Sequence, residues 1–329
     1  MKRIPGAVAM AVGLVLTAGT MLTGGALAQQ KNLNLSIVTG GTGGVYYPLG
    51  GGLANMLGKY NPGWSATAEV TGGSVDNLKL IGAKRADVAL AQADASYDAE
   101  KGQDKFKGAP VKHMTLAVLY PNIMHVVTVE GKGIATVADL KGKRVSTGSP
   151  GSATEVMAFR VIEAAGLDKD KDMTRERLGA SESTNAIKDG KIDAYFFVAG
   201  VPTSAITDLG ATPGTTLKLI DHADGVDRMN AKYGPLYAKG VIPKGSYPGQ
   251  DKDNQVSTVW NILVVHESMP DDVAYNIVKT VFEHRDEWAT VHKEALNVKV
   301  EMQKQTYSPV PFHPGALKYF AEKGINVTN

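Results

Sequence analysis

The sequence predicts an α/β protein built of two lobes, and three observations lead to that prediction. Strand-like apolar segments alternate with segments of helical periodicity, which is typical of parallel sheets covered by helices. The alternation occurs in two series, one that begins at Leu33 and one that begins at Arg144. The chain has 329 residues, which is enough for a sizeable core and two lobes.

The first residues resemble a secretory signal peptide. Lys2 and Arg3 give a basic start, residues 7–22 are mainly apolar, and small residues end at Ala28. This layout predicts export, with cleavage after Ala28. A membrane anchor is the alternative, but glycines interrupt the apolar stretch and no later run approaches the roughly 20 apolar residues of a membrane span.

Charge and cysteine content exclude several classes of protein. Loss of Lys2 and Arg3 from the 35 basic residues leaves 33, equal to the 33 acidic residues. A near-neutral chain lacks the basic surface that nucleic-acid binding needs, so we expect no nucleic-acid partner. The chain has no cysteine, which excludes disulfides, thiolate nucleophiles and cysteine metal sites.

The first series begins with a strand over residues 33–38 and a glycine-rich loop over residues 39–44. A helix follows, with Pro48 in its first turn, where a missing N–H costs nothing. Residues 50–52 are three consecutive glycines, and each costs about 1 kcal/mol in a helix relative to alanine. They predict that either the sheet or a ligand approaches this helix closely, and we favour the sheet.

The remainder of the first series repeats the pattern. A strand over residues 65–70 precedes a turn and a helix, for which Ser74 is the predicted N-cap. A strand over residues 87–91 follows and ends at Gln92. Residues 114–120 and 125–129 then predict two strands joined by Pro121 and Asn122.

The second series has a strand at residues 144–146, a small-residue loop at 147–152 and a helix at 153–165. Ser152 and Glu155 have the spacing of a capping box at the start of this helix. Another strand is predicted at 192–198. Weakly periodic residues 221–253 predict loops and a return crossing, followed by a strand at 257–265, a helix at 271–288 and a short helix opened by residues 313–315.

Several catalytic and cofactor signatures are absent. The loop at 39–44 has no lysine for a phosphate loop, and its glycines do not fit the dinucleotide fingerprint. No nucleophile elbow occurs, because Ser74 is followed by Val75 and Asp76. No two histidines have the spacing of a helical zinc pair. Asp94 and Asp98 form a lone carboxylate pair, which is weak evidence for acid–base catalysis.

What remains is a set of strand–loop–helix junctions rich in glycine and hydroxyl side chains. Free N–H groups and the helix dipole attract anions at such junctions, and ligands bind at the carboxyl ends of strands in open α/β sheets. We expect the loops at 39–44 and 147–152 to hold an acidic solute from opposite sides. The alternative is that these residues only make turns and caps.

Several segments of the sequence resemble those of a known family. The segment 39–50, TGGTGGVYYPLG, is similar to the opening signature of the TAXI family, the solute-binding proteins of tripartite ATP-independent periplasmic (TRAP) transporters, and especially to its exported immunogenic members. Further similar segments lie at 72–78, 92–99, 139–146, 193–197, 200–203 and 313–315, so the resemblance spans nearly the whole mature chain.

The resemblance implies a two-lobe periplasmic-binding-protein fold of type II, the Venus-flytrap arrangement, with a hinge between the lobes. Its expected domains are a signal peptide at 1–28, the first lobe at 29–123, the second lobe at 124–255, and a return strand with C-terminal helices at 256–329 that pack on the first lobe. It further implies a monomer in the periplasm, partnered by the small and large membrane subunits of a TRAP permease. Glutamate, glutamine and 2-oxoglutarate are family ligands, which makes a small acidic solute the expected ligand, and no cofactor is expected.

The motifs carry over a set of candidate ligand-binding residues. These are Thr39, Gly40, Gly41, Thr42, Tyr46, Gly73, Ser74, Gln92, Asp94, Thr147, Ser149, Gly151 and Ser152. Hydroxyl groups and neighbouring N–H groups would bind carboxylate oxygens, and Gln92 can both donate and accept. Asn122 stands where related sequences often have glutamate, which either favours a more acidic ligand or marks a position outside the pocket.

We expect no enzymatic activity, because Asp94 is the only candidate catalytic group within the similar motifs. The alternatives are an exported α/β enzyme that acts on a small carboxylate, or the binding protein of an ATP-driven transporter or a sensor.

Overall fold

The computed structural model describes residues 32–327, so the signal peptide expected at 1–28 lies outside the described residues. The strands are β1 Leu33–Val38, β2 Trp64–Glu69, β3 Val88–Gln92, β4 His113–Val129, β5 Arg144–Ser146, β6 Thr174–Glu176, β7 Ala194–Ala199, β8 Leu217–Leu219, β9 Tyr237–Ile242 and β10 Asn254–His266. The helices are α1 Tyr46–Tyr60, α2 Ser74–Gly82, α3 Ala93–Lys101, α4 Ala153–Ala164, α5 Ala180–Lys188, α6 Ser204–Gly210, α7 Val226–Tyr233, α8 Asp271–Glu283, α9 Arg285–Ala289 and α10 Pro314–Glu322.

The described strands form one mixed sheet in the order β2-β1-β3-β10-β4-β7-β5-β6, with β8 beside β4 and β9 beside β10. β1 pairs in parallel with β2 and β3, and β5 pairs in parallel with β6 and β7. The long antiparallel strands β4 and β10 lie between these two parallel groups. The predicted alternation of strands and helices in two series is therefore confirmed.

β4 is one continuous strand, so the prediction of two strands joined by Pro121 and Asn122 is wrong. β4 pairs with β10 from His113 to Ile123, and its pairing with β7 begins only at Ile123. Pro121 thus lies where β4 has a strand on one side, and its missing N–H removes no ladder hydrogen bond on the other side. A register irregularity in β10 lies directly opposite.

Two helix starts test the capping predictions. Ser152 is the N-cap of α4, and its Oγ accepts a hydrogen bond from the Glu155 N–H at 3.1 Å, which confirms one half of the predicted capping box. The other half does not form, because the Ser152 N–H donates to the Ser149 carbonyl and the Glu155 carboxylate pairs with cationic side chains. Ser74 is the first residue of α2 rather than its cap, because Gly73 adopts a φ of 124° that favours glycine and takes the cap position. The Ser74 Oγ instead accepts a hydrogen bond from the Gln92 N–H at 3.1 Å.

The C-terminal third contains more structure than the sequence predicts. Residues 221–253 include α7 and β9, which pairs with β10. The helix predicted at 271–288 is broken at His284 into α8 and α9. The predicted strand at 257–265 and the final short helix are confirmed as β10 and α10.

The buried apolar side chains form clusters that divide the long strands β4 and β10 along their length. The first core joins mainly residues between Leu35 and Tyr120 to residues between Ile262 and Phe320, with Ala153, Val156 and Ala199 added from the rest of the chain. The other two clusters are made mainly by residues from 124 to 259. We call the structure around the first core the first lobe and the structure around the other two the second lobe. The domain limits given above stay a prediction.

The three glycines of α1 have different surroundings. A Cβ on Gly50 would overlap the Thr39 side chain next to Ile37 and Ala68, so close packing on the sheet is confirmed there. A Cβ on Gly52 would lie 2.9 Å from Trp288 Cδ1, so Gly52 packs against α9 rather than the sheet. Gly51 has open space.

Candidate functional site

The candidate site is a cavity between the two lobes with a volume of about 80 Å³. A single water needs roughly 10–15 Å³ of such volume, so the cavity holds a solute the size of several waters. Its walls come from the carboxyl ends of six strands and from Tyr120 in the middle of β4. The lining residues are 40–46 after β1, 72–74 after β2, Gln92 at the end of β3, 149 and 152–154 after β5, 179–182 after β6, and 197–199 at the end of β7.

Five helix N-termini converge on this cavity. α1, α2, α3, α4 and α5 begin directly after the lining residues Val45, Gly73, Gln92, Ser152 and Gly179. The first N–H groups of a helix have no partner within the helix. Only α4 among these five has a side-chain cap; the other four have none. The cavity therefore meets the positive ends of five helix dipoles from both lobes.

Nine of the residues predicted from the sequence line the cavity, and the structure brings them together from both lobes. They are Gly40, Gly41, Thr42, Tyr46, Gly73, Ser74, Gln92, Ser149 and Ser152. Their role as ligand contacts stays a prediction.

The other four are not among the lining residues. The Thr39 Oγ1 donates a hydrogen bond to the Glu69 carbonyl at 2.6 Å, and the Thr147 Oγ1 to the Glu176 carbonyl at 3.4 Å. Gly151 packs against Asp76, and a Cβ there would overlap the carboxylate. Asp94 is fully buried and accepts a hydrogen bond from the Tyr237 hydroxyl at 2.8 Å. The first two support the loops, and the last two connect the lobes.

Sequence reasoning missed lining residues from the second lobe and from the long strands. Tyr120, Ser181, Glu182 and Phe197 line the cavity, and no glycine-rich signature marks them. The start of α5 was detectable only through the small residues that follow β6. Asn122 is buried and is not among the lining residues, which fits the alternative that it lies outside the pocket.

The charge of the cavity comes from its backbone rather than from cationic side chains. Among the described residues that line it, none is lysine, arginine or histidine, and Glu182 is the one carboxylate. Burial raises the pKa values of the Tyr46 and Tyr120 hydroxyls, so both stay neutral. The Tyr46 hydroxyl already donates to Asn261 Oδ1.

Two buried polar atoms of the lining residues have no partner. Gln92 is 3% exposed and Tyr120 is 0% exposed, yet Gln92 Oε1 and the Tyr120 hydroxyl make no hydrogen bond. A buried polar atom without a partner costs free energy. A solute in the cavity that donates a hydrogen bond would satisfy them.

Asn77 holds the first lobe's side of the site together, although it is not in the cavity. Its Nδ2 donates to the Thr39 carbonyl at 2.6 Å and to the Leu90 carbonyl at 2.8 Å, while its Oδ1 accepts from the Thr71 hydroxyl at 2.6 Å. One buried amide therefore ties together the ends of β1, β2 and β3. The sequence places Asn77 within a helix and gives no signal of this role.

Loops of the two lobes touch around the cavity. The Ser149 Oγ donates to the Gly72 carbonyl at 3.0 Å, and the Asp76 N–H donates to the Gly151 carbonyl at 3.0 Å. On the opposite side the Ser204 Oγ donates to the Gly43 carbonyl at 3.0 Å. These contacts enclose the cavity, so the structure is the closed arrangement of the two lobes.

The fold is similar to solved structures of binding proteins. An alkanesulfonate-binding protein, SsuA from Xanthomonas axonopodis pv. citri bound to MOPS, is 15% identical, with a TM-score of 0.50 over 88% of this chain and 83% of that one. A protein from Bordetella bronchiseptica RB50 is 19% identical, with a TM-score of 0.53 over 89% of each chain. A protein described as a periplasmic transporter is 16% identical, with a TM-score of 0.50 over 88% and 92%. At these identities the similarity shows the fold, and the predicted two-lobe fold of type II periplasmic binding proteins is confirmed.

The family assignment is broader than the one the sequence motifs suggest. The motif resemblance points to TAXI proteins of TRAP transporters, but that subfamily is not shown by the comparisons. A match to the NMT1-like family extends over residues 37–324, which is most of the chain and nearly all of the described part. The chain belongs to the NMT1-like family.

Proposed function

We propose that this protein is the solute-binding subunit of an import transporter in the periplasm, and that it captures a small acidic organic solute between its lobes. The observation that carries the proposal is the convergence of five helix N-termini on one enclosed cavity. Oriented N–H groups in a water-poor site stabilise an anion strongly, because the local dielectric constant is low. The similarity of the fold to binding proteins supports the same class of function.

The polar groups of the cavity favour a solute that carries a hydrogen-bond donor as well as an anionic group. Gln92 Oε1 accepts but has no partner, and the Glu182 carboxylate lines the same cavity. An amino group beside a carboxylate would meet both, which favours glutamate or glutamine over 2-oxoglutarate. A sulfonate is the second candidate, because a structurally similar protein is described as alkanesulfonate-binding.

A thermal-unfolding screen tests the ligand class. We expect L-glutamate or L-glutamine to stabilise the mature protein most, 2-oxoglutarate and an alkanesulfonate less, and a neutral sugar not at all. A ligand at 100 times its Kd raises the free energy of unfolding by about 2.7 kcal/mol. Stabilisation by the sugar alone would contradict the proposal.

A double variant tests the site. Thr42→Ala with Ser74→Ala removes two lining hydroxyls, so the stabilisation by the best ligand should disappear. Thr212→Ala with Ser246→Ala is the matched control, since both control hydroxyls are exposed and bond only to neighbouring carbonyl oxygens. Unchanged affinity in the first variant would show that the solute binds elsewhere.

The class of membrane partner is the finer part of the proposal. The TAXI resemblance favours the small and large subunits of a TRAP permease driven by an ion gradient. The family match and the similar structures support binding proteins of import transporters in general, and an ATP-driven importer fits them without the TRAP assignment. Neighbouring genes discriminate: an ATPase gene would support the second class, and a large multi-span permease gene without one would support the first.

An exported enzyme that uses the same cavity is the remaining alternative. It would convert the bound solute, whereas a binding protein releases it unchanged. Mass spectrometry of the solute after prolonged incubation with the protein separates the two, and any product that depends on the protein would overturn the binding role.

A further inference from the structure

Outside the cavity, six charged side chains join the first lobe to helix α4 of the second; the outermost is Asp104, which is 39% exposed and lies 3.5 Å from Arg160 Nη2. We call the other five the ionic clasp: Asp94 and Asp98 on α3, Lys105 shortly after α3, and Glu155 and Arg160 on α4. All but Lys105 are buried. The cavity does not need these charges, because none of the five lines it.

Arg160 is the centre of the ionic clasp. Its side chain is 3% exposed, and its Nη2 lies 2.5 Å from Asp98 Oδ2, which is 2% exposed. Its Nη1 donates to the Tyr237 hydroxyl at 2.6 Å, and that hydroxyl donates to Asp94 Oδ2 at 2.8 Å. One guanidinium therefore balances two buried carboxylates: Asp98 through a close ion pair, and Asp94 through Tyr237 and a longer Nη1–Oδ2 contact of 3.9 Å.

In the second contact of the ionic clasp, the first lobe supplies the cation and the second lobe supplies the carboxylate. Lys105 of the first lobe lies 3.1 Å from Glu155 of the second lobe, which is 1% exposed. Arg175 and Arg177 also pair with Glu155, so this carboxylate keeps cationic partners without Lys105. The two carboxylates of α3 thus meet Arg160 of α4, while basic Lys105 meets Glu155, so opposite charges face one another in one register.

The ionic clasp and the cavity lie along the same two helices. α3 begins after Gln92 and α4 begins after Ser152, and both of these residues line the cavity. Ala95 and Ala99 of α3 belong to the first core, whereas α4 contributes Val156 to that core and Met157 and Val161 to the second lobe. α4 therefore lies at the junction of the two lobes, against α3.

We infer that Arg160 is a positioning residue for solute binding, whose charge allows the lobes to close. This inference rests on the proposed function. Burial of a carboxylate without a cation is strongly unfavourable, so a lobe interface without Arg160 would bury Asp94 and Asp98 uncompensated. Separation of the lobes returns both to water. Loss of the Arg160 charge therefore also weakens the affinity for the solute, because the apparent affinity is proportional to the population of the closed, binding-competent state.

The test uses Arg160→Met in the mature protein, freed of solute by unfolding and refolding. We expect a larger radius of gyration in small-angle X-ray scattering, and at least a tenfold weaker affinity for L-glutamate as the probe. Arg160→Met with Asp98→Asn removes one of the stranded carboxylates and should recover part of both losses. Lys188→Met is the matched control, since its partner Asp208 lies 2.7 Å away within the second lobe.

A radius of gyration and an affinity equal to those of the wild type in Arg160→Met would overturn the inference. So would equal losses in the single and double variants, which would indicate a general structural defect. If Arg160→Met does not fold, Arg160→Lys carries the test, because it keeps the charge beside Asp98: a radius of gyration and an affinity close to those of the wild type support the inference, and an expansion with loss of affinity overturns it. The scattering experiment needs no solute, so a failure of L-glutamate to bind the wild type would count against the proposed function alone.

Discussion

The Ser149 hydroxyl of the second lobe donates a hydrogen bond to the Gly72 carbonyl of the first lobe, across 3.0 Å. Both residues line the cavity, and Gly72 faces the Pro150 carbonyl so closely that an added Cβ would overlap it. The absence of a side chain at Gly72 therefore lets the lobes meet at this point.

Gly72→Ala should hold the lobes apart. The new methyl group would overlap the Pro150 carbonyl of the second lobe, which is fixed backbone, whereas its other close neighbour, Asp76 Oδ2 of the first lobe, is the end of a side chain that can move. The φ of Gly72 is not among the left-handed values that exclude alanine. We expect a larger radius of gyration by X-ray scattering and loss of stabilisation by solute. Gly51→Ala is the control, because its Cβ would meet nothing within 4 Å. An unchanged radius of gyration would show that the lobes tolerate the methyl group.

Alanine at two positions of α1 should have opposite effects on stability. Gly50→Ala forces a methyl group into Thr39 and the sheet, and overpacking of this kind costs about 1–3 kcal/mol. Gly51→Ala adds a methyl group in open space and should stabilise the helix by up to about 1 kcal/mol. Urea unfolding measures both, and a shift in the same direction for the two variants would contradict the packing described for α1.

Asn77→Ala should destabilise the first lobe strongly. It removes one buried amide that bonds to the Thr39 carbonyl, the Leu90 carbonyl and the Thr71 hydroxyl, at a cost of about 2–4 kcal/mol in the free energy of unfolding. Asn276→Ala is the control, since that side chain bonds only to the Asp272 carbonyl on the surface of α8. A loss no greater than that of the control would refute the organising role of Asn77.

Protonation of Asp98 should make the stability of the protein depend on pH. Burial raises the pKa of its carboxyl to about 6, against the opposing effect of Arg160. The polar groups around the Asp98 carboxyl come from four parts of the chain. They are Asp94 on α3, Gln103 and Asp104 after α3, Arg160 on α4, and Tyr237 on β9. Because the folded state binds the proton more tightly than the unfolded state, the stabilisation is present below about pH 4 and is lost as the pH rises through 6.

Urea unfolding between pH 4 and 7 tests this sign. Relative to Asp98→Asn, the wild type should lose of the order of 2 kcal/mol as the pH rises, since two pKa units correspond to that magnitude. Asn276→Ala, a change that removes no titratable group from the surface of α8, is the control and should leave the pH profile unchanged. A wild type that gains stability over Asp98→Asn as the pH rises would reverse the assignment.

The sequence predicted the parallel groups well, because short apolar strands with glycine-rich exits have a strong local signature. The prediction was wrong where pairing between distant segments determines the structure. Pro121 indicates a strand break locally, yet pairing with β10 keeps it inside the single strand β4. The site was predicted on the glycine-rich loops of both lobes, and Ser149 and Ser152 of the second lobe do line the cavity together with the first-lobe residues. Glu182 and Tyr120 were missed because the closure of the lobes, rather than a motif, brings them to the cavity.

The two parallel groups of strands, β2-β1-β3 and β7-β5-β6, lie on opposite sides of β10 and β4 in the sheet, so the specificity of each half of the cavity can change separately. Each parallel group supplies its own wall of the cavity, and the two walls come from separate stretches of chain, 40–92 and 149–199. Substitutions in one stretch can alter recognition of one end of the solute while the other end keeps its contacts. Substitutions confined to one of the two stretches are thus expected to be enough to change which solute the cavity accepts.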